Sequence, residues 1–142
     1  MSGRSFRWAL GLLLVFGLPL LGWWARRGAP PRCALDGAVI EPLYRVRVEE
    51  EDGRQRLFCS VRCAQLWLAR GRPARAVFVT DEASGREVEA SRAFFVRSAV
   101  VTPPTTRNHT HAFADRADAE RHATAFRGML LPGPERPFGV IP

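Results

Sequence analysis

The sequence predicts an α+β protein in which an N-terminal transmembrane helix precedes two similar ββαβ halves. Three observations carry this expectation. The chain opens with an uncharged 18-residue run, WALGLLLVFGLPLLGWWA, from Trp8 to Ala25. Between residues 33 and 131, strand patterns alternate with two short helical patterns. The order strand–strand–helix–strand occurs there twice.

The apolar run would span about 27 Å as a helix, close to the thickness of a bilayer core. Trp8 stands at one end and Trp23 and Trp24 at the other, where the headgroup zones would lie. Pro19 is tolerable in a membrane helix. The residues that follow, WWARRGAPPR, offer no small-x-small cleavage site. Residues 1–25 therefore read as an uncleaved signal anchor and not as a removed leader. Arg26, Arg27 and Arg32 compete with Arg4 and Arg7 under the positive-inside rule. Short amino-terminal tails usually stay inside. The expected location is thus the inner (cytoplasmic) membrane, with the soluble domain facing the periplasm or exterior. Residues 26–32, RRGAPPR, read as a stiff linker.

The first half covers residues 33–82. VIEPLYRVRVEEE alternates Leu43, Arg45 and Arg47 against Tyr44, Val46 and Val48, as a strand does. Asp52-Gly53 signals a hairpin, and RQRLF is the return strand. A helix is expected over 61–70, with Ser60 as N-cap, Val61, Ala64, Trp67 and Leu68 as its apolar stripe, and Gly71 as its stop. The strand RAVFVT closes the half, and TDEASGREVEA reads as a polar turn between the halves.

The second half covers residues 83–131. It runs from the strongly β-forming AFFVRSAVV through a Pro103-Pro104 loop to the short strand HTHAF. A helix is expected over 116–127, capped by Asp115, with Asp118 in its first turn and Gly128 after it. GMLLP is the last strand, with Met129 expected in the core, and residues 132–142 form an irregular Pro/Gly-rich tail. Phe58-Cys59 before the first helix aligns with Phe113-Ala114 before the second, and Cys63 aligns with Asp118.

Bulk charge excludes one class of partner. The net charge is +7, and all 21 basic residues are arginine. They are scattered through every segment and not clustered with aromatics or glycines, so nucleic acid is not expected as a partner. No catalytic constellation appears. There is no glycine-rich phosphate loop, and the acidic run Glu49–Asp52 falls in an exposed turn. The protein is not expected to be an enzyme.

The chemistry-bearing residues are Cys33, Cys59 and Cys63, in the pattern C-x25-C-x3-C. Thiolates are preferred ligands of soft or borderline metals. Cys59 falls just before a helix cap and Cys63 in its first turn, where backbone N–H groups and the helix dipole favour thiolate. An odd cysteine count in an exported chain points to a metal or a free thiol, although a Cys59–Cys63 disulfide stays open. The alternative for all three is burial as small apolar residues. His109 and His111 lie two apart on an expected strand, so both would point to one face and could join a metal site; the alternative is a polar edge strand. His122 falls on the apolar stripe of the second helix and reads as packing.

Two segments resemble known families. CALDGAVIEPLYRVRVEEEDGRQRLFCSVRCAQLW resembles a TRASH-type metal-handling module, with one cysteine followed by a second and, after three residues, a third. The segment from VFVTDEASGREVEASRAFFVRSAVV to AFADRADAERHATAFRG is similar to the NosL family, accessory lipoproteins of nitrous-oxide reductase. That resemblance implies two related ββαβ halves, copper(I) binding and a role in maturing a copper enzyme. The chain also departs from the family pattern. Cys33-Ala34-Leu35-Asp36-Gly37-Ala38 stands where the family shows C-x-x-C-G-M. No methionine follows the proline at Pro104-Thr105-Thr106, and the apolar run replaces a lipid-attachment cysteine.

The reading that follows is a membrane-anchored, exported metal-binding accessory protein: a copper(I) chaperone for a copper enzyme such as nitrous-oxide reductase. Its ligands would be drawn from Cys33, Cys59, Cys63, His109 and His111. Its partners would be the membrane, through the N-terminal helix, and a recipient copper enzyme or other copper-handling protein. Two alternatives stand beside it. One is a structural zinc-binding, TRASH-like interaction module. The other is a thiol redox protein using Cys59 and Cys63, although C-x3-C is not the usual redox spacing.

Overall fold

The structure is a computed structural model that describes residues 29–139. The chain divides into two units, Met1–Pro30 and Pro31–Pro142, and the described residues belong almost wholly to the second.

A membrane-spanning helix was expected as part of this fold, and that expectation is corrected. Crossing a bilayer takes about 20 apolar residues in one helix. Among the described residues the two α-helices, α1 (Val61–Leu68) and α2 (Arg116–Ala125), have 8 and 10 residues. Among the described residues no helix is long and apolar enough to cross a membrane. The described chain is α+β without an N-terminal membrane helix. The anchor expected over 1–25 and the first residues of the expected linker lie outside the described residues.

The strands form two antiparallel sheets. The first has the order β2-β1-β3-β4, built from β1 (Val46–Glu50), β2 (Gln55–Phe58), β3 (Ala74–Thr80) and β4 (Glu87–Glu89). The second has the order β6-β5-β7, built from β5 (Phe94–Arg97), β6 (Thr110–Phe113) and β7 (Met129–Leu130). In each sheet the first strand of the half is central. It pairs with the hairpin or loop return on one side and with the strand after the helix on the other. Around each central strand the order is strand–strand–helix–strand, with the helix carrying the chain to the other side of that strand; β4, which falls within the expected second half, joins the first sheet beyond β3.

Local sequence accounts for most element boundaries. Val46 and Val48 are fully buried while Arg47 between them lies beside Glu87, which is the alternation of a half-buried strand. Pro42–Tyr44 forms a 3-10 turn in place of the expected start of that strand, because proline fixes φ and removes a ladder donor. β4 lies inside the segment read as a polar turn. Its Val88 packs on the core while Glu87 and Glu89 face outward, and it extends β3 as an edge strand. Three residues are too few for a visible alternation.

One core serves both sheets. Phe58, Val46, Val48, Trp67, Val77 and Val79 of the first half pack in a single cluster with Phe95, Ala112 and Leu131 of the second. Phe58 and Trp67 meet with ring centroids 5.4 Å apart. A smaller cluster of Val96, Phe113 and Ala119 holds α2 against the second sheet. Met129, expected in the core, is instead exposed, because on the two-residue β7 it is Leu130 that packs against that cluster.

Candidate metal centre

Local structure brings Cys33 to the metal centre through a knuckle. An antiparallel bridge joins Arg32 to Val39, and inside it the Cys33 N–H donates to the Ala38 carbonyl and the Gly37 N–H to the Cys33 carbonyl. Gly37 has φ +74°, a left-handed conformation that an L side chain would strain. Asp36 accepts the Ala38 N–H at 3.0 Å, which turns its carboxylate back over the knuckle. The Ala34 N–H donates to the Leu57 carbonyl at 2.8 Å and pins the knuckle to the end of β2.

The other two cysteines come from the start of α1. Ser60 is the N-cap, and its hydroxyl accepts the Cys63 N–H at 3.2 Å. That cap fixes Cys59 just outside the helix and Cys63 at its third position. The two sulfurs stand 3.6 Å apart, and all three cysteines are free and buried.

The four side chains Cys33, Asp36, Cys59 and Cys63 each offer one ligand atom, and these atoms all lie within 4.8 Å of one another. The carboxylate of Asp36 reaches the Cys63 sulfur at 3.4 Å and the Cys59 sulfur at 3.8 Å. Ligands at about 2.3 Å around a tetrahedral ion stand about 3.8 Å from each other. The spacing of the sulfurs and the carboxylate therefore matches a hole of ionic size. The cysteines form the buried floor, and Asp36 is the exposed member. Asp36 was noted in the sequence only as a replacement. The signal that marks it is the spacing Cys33-x-x-Asp36-Gly37, which places a second donor at the tip of the knuckle.

Electrostatics at the site depart from expectation. A helix start favours thiolate, but burial pushes the Cys63 thiol up to about 11, aided by the charges on Cys33 and by Asp36, against the hydrogen bonds of Ser60 and Cys59. Burial pushes Cys59 up as well, and its contacts with Cys33 and Cys63 add to the effect. The main physical reason is that burial takes the thiolates out of water; in addition, crowded donors cannot all carry negative charge without a cation. Partial burial works against the charge on Asp36. Hydrogen bonds from the Cys33 thiol, the Ala38 N–H and the Cys63 and Cys59 thiols outweigh it and hold the carboxyl below its ordinary value.

The structure does not bring His109 or His111 into this cluster, although both were expected as ligands. His109 precedes β6, is exposed, and donates from Nδ1 to the Ser98 carbonyl at 3.2 Å. His111 is fully buried on β6. Its Nδ1 lies 2.9 Å from the Glu82 carboxylate and its Nε2 lies 3.2 Å from the Val100 carbonyl. Both ring nitrogens are engaged by acceptors away from the cysteine cluster, so the ring is not presented to it. His111 instead ties the end of β3 to the second sheet. His122 packs, with its ring centroid 4.4 Å from that of His111 and 4.7 Å from that of Phe126.

The domain is thus a two-sheet α+β fold that carries a cluster of three buried cysteines and one exposed aspartate able to hold a metal ion. No family model matches the chain, and no curated protein matches it in sequence. Among solved structures, the fold is similar to that of the copper chaperone NosL from Shewanella denitrificans. The TM-score is 0.67 at 18% identity, and the match covers 81% of this chain and 94% of the chaperone. The NosL-like fold implied by the resemblance in sequence is therefore shown.

Proposed function

We propose that the protein binds one soft metal ion through Cys33, Cys59 and Cys63, with Asp36 as a fourth and exposed donor, and passes the ion on as a copper(I) chaperone. The observation that carries this reading is the convergence of four donor atoms within 4.8 Å at the edge of a core. Thiolates select copper(I) among the physiological candidates. The fold likeness to a copper chaperone supports transfer as the purpose of binding. Asp36 supports it too, since a weakly held carboxylate at the surface gives an incoming thiol or thioether a place to attack the ion. A copper enzyme is the proposed recipient. Nitrous-oxide reductase is the first to test, on the resemblance of residues 77–128. The domain is proposed to work outside the cytoplasm, and a reporter fused to the C-terminus should be active only there.

The test is a competition titration of the reduced protein with a copper(I) chelator, followed by transfer to an acceptor. One tightly held ion, released to the acceptor faster than to buffer, is the expected result. Failure to bind copper(I) in the reduced state would sink the proposal.

One observation favours a second reading. An oxygen donor completing three thiolates in a four-coordinate arrangement suits zinc(II), which prefers tetrahedral sites and accepts carboxylate. A structural zinc module would then lose its fold on chelation and regain it with zinc and not copper.

A further inference from the structure

We propose that a polar cleft walled by Arg62, Arg97 and Arg107 is a docking site for an acidic polypeptide segment of a partner protein. The cleft has a volume of about 430 Å³ and lies between α1, the end of β5 and the loop before β6. Arg62 comes from the first turn of α1, Arg97 from the last position of β5, and Arg107 from the turn that precedes β6. Gln65, Ser98, Asn108, His109 and Thr110 complete its polar wall, and no carboxylate lines it.

Two features set these arginines apart from the scattered positive charge elsewhere. The first is that three of them line one cleft without a carboxylate, whereas other arginines that lack an ion pair, such as Arg86 and Arg92, lie outside it. Arg47 pairs with Glu87, Arg56 with Glu50 and Arg116 with Glu120. Among the described residues, Arg62, Arg97 and Arg107 have no side-chain ion pair, although they share one cleft. Like charges gathered without a counter-charge repel, and a bound anion relieves this.

The second feature is that the frame beneath them is fixed. Asn108 is buried, accepts the Arg62 N–H through Oδ1, and donates from Nδ2 to the Thr102 and Thr110 carbonyls at 2.8 Å each. Arg107 adopts φ +48°, a left-handed conformation where glycine or asparagine would be less strained. The structure therefore holds an arginine at a position that local preference would give to another residue.

The chemistry of the occupant follows from the donors. Guanidinium groups present planar forks that match carboxylates two bonds at a time. Three forks from three separate elements suit carboxylates spaced along a chain better than one small anion. No apolar side chain lines the cleft, so it lacks the anchor that insertion into a lipid surface would use. Ser60, whose hydroxyl accepts the Cys63 N–H, also accepts the Thr106 hydroxyl at 3.2 Å, which ties the turn that carries Arg107 to the helix start that carries the cysteines; that this would set a docked segment near a metal ion rests on the proposed function.

The test uses the full chain, metal-free, in neutral detergent at about 0.15 M salt. A fluorescently labelled hexaglutamate peptide is titrated and followed by polarisation. The double variant Arg62→Gln/Arg107→Gln should bind at least about tenfold more weakly, with a shallower salt dependence. The control Arg86→Gln/Arg92→Gln, with the same change of charge away from the cleft, should bind as the parent does. Arg97→Gln alone should weaken binding less, and it serves if the double variant has a shifted denaturation midpoint. Equal losses in cleft and control variants would reduce the effect to net charge and overturn the proposal. So would displacement of the peptide by inorganic phosphate at the same concentration as by unlabelled peptide. Binding to vesicles with an anionic phospholipid, lost in the cleft variant while the peptide never binds, would overturn it in favour of a membrane. Peptide binding needs no metal, so failure of the copper titration leaves this result readable.

Discussion

At the scale of single residues, the centre holds protons until a metal displaces them. Both Cys59 and Cys63 have thiols raised by burial, Cys63 to about 11, so at neutral pH they are protonated in the metal-free protein. Each metal–sulfur bond then releases a proton, and affinity should rise steeply between about pH 6 and pH 9. A titration against a chelator with pH-corrected affinity checks this; a flat profile would mean that the thiolates are already formed. Cys59→Ser and Cys63→Ser should each weaken binding at least about tenfold, since each removes a ligand outright. Asp36→Asn should discriminate between metals. It should barely change copper(I) affinity, which three thiolates can satisfy, and should weaken zinc(II) binding markedly.

The histidine stack sets a different pH dependence, in stability. Burial disfavours charge on His111, but the hydrogen bond and charge of Glu82 overcome it and raise its pKa above the ordinary value. Its contribution is fully present below about pH 6.5 and is lost as pH rises through the folded value. His122 runs the other way. Burial and the charge on His111 lower its pKa, so its contribution is present above about pH 6.5 and is lost as pH falls through the folded value. Their combined contribution should peak near about pH 6.5. Denaturation midpoints at three pH values measure it. Glu82→Gln should remove the fall on the alkaline side, and an unchanged alkaline slope would contradict the pairing.

At the scale of elements, the end of α2 separates two roles that a glycine after a helix can play. Gly128 was expected to follow the helix, and helices often end on a residue in the left-handed position. That position belongs to Arg127, at φ +51°, and the Gly128 N–H returns to the Ala123 carbonyl at 2.8 Å. Gly128 is needed because a Cβ there would lie 2.9 Å from the Arg97 carbonyl and from side-chain atoms of Ser98 and Val96. The glycine lets the chain pass directly over β5. Gly128→Ala should therefore destabilise the protein by about 1–3 kcal/mol, the usual cost of overpacking, without affecting the metal centre. Chemical denaturation gives the first quantity and metal titration the second. α1 is the simpler case, because Ser60, the apolar stripe and Gly71 agree, and the helix forms where they place it.

At the scale of the whole molecule, the question is whether the fold needs its metal. The main core contains the three cysteines, but it also contains Phe58, Trp67, Phe95 and six buried valine and isoleucine side chains. The second sheet has its own cluster, free of cysteine. Structural zinc contributes on the order of 10 kcal/mol to folding where such a core is missing. Here the metal-free domain should keep its secondary structure and melt cooperatively, as a delivery protein must after giving up its ion. Circular dichroism of the reduced, chelator-treated protein measures this. Loss of the signal on chelation, restored by zinc alone, would favour the structural-zinc reading.

By itself the sequence determined the main strands and both helices in their order, without β4, the caps of both helices and the three cysteines. Each of these rests on local signals: side-chain periodicity, capping residues and turn residues a few positions apart. The likeness of fold was legible too, through AFFVRS and AFADRADAE. What only the tertiary structure decided is which donors meet. Cys33 and Cys59 are separated by 25 residues, and their meeting depends on the Ala34–Leu57 hydrogen bond and the knuckle at Gly37. Asp36 joins them because that knuckle turns its carboxylate inward, and His111 is withdrawn because Glu82 reaches it from the other sheet. Ligand sets are long-range geometry, and one residue's spacing on a strand carries no information about the carboxylate that another strand will bring to it.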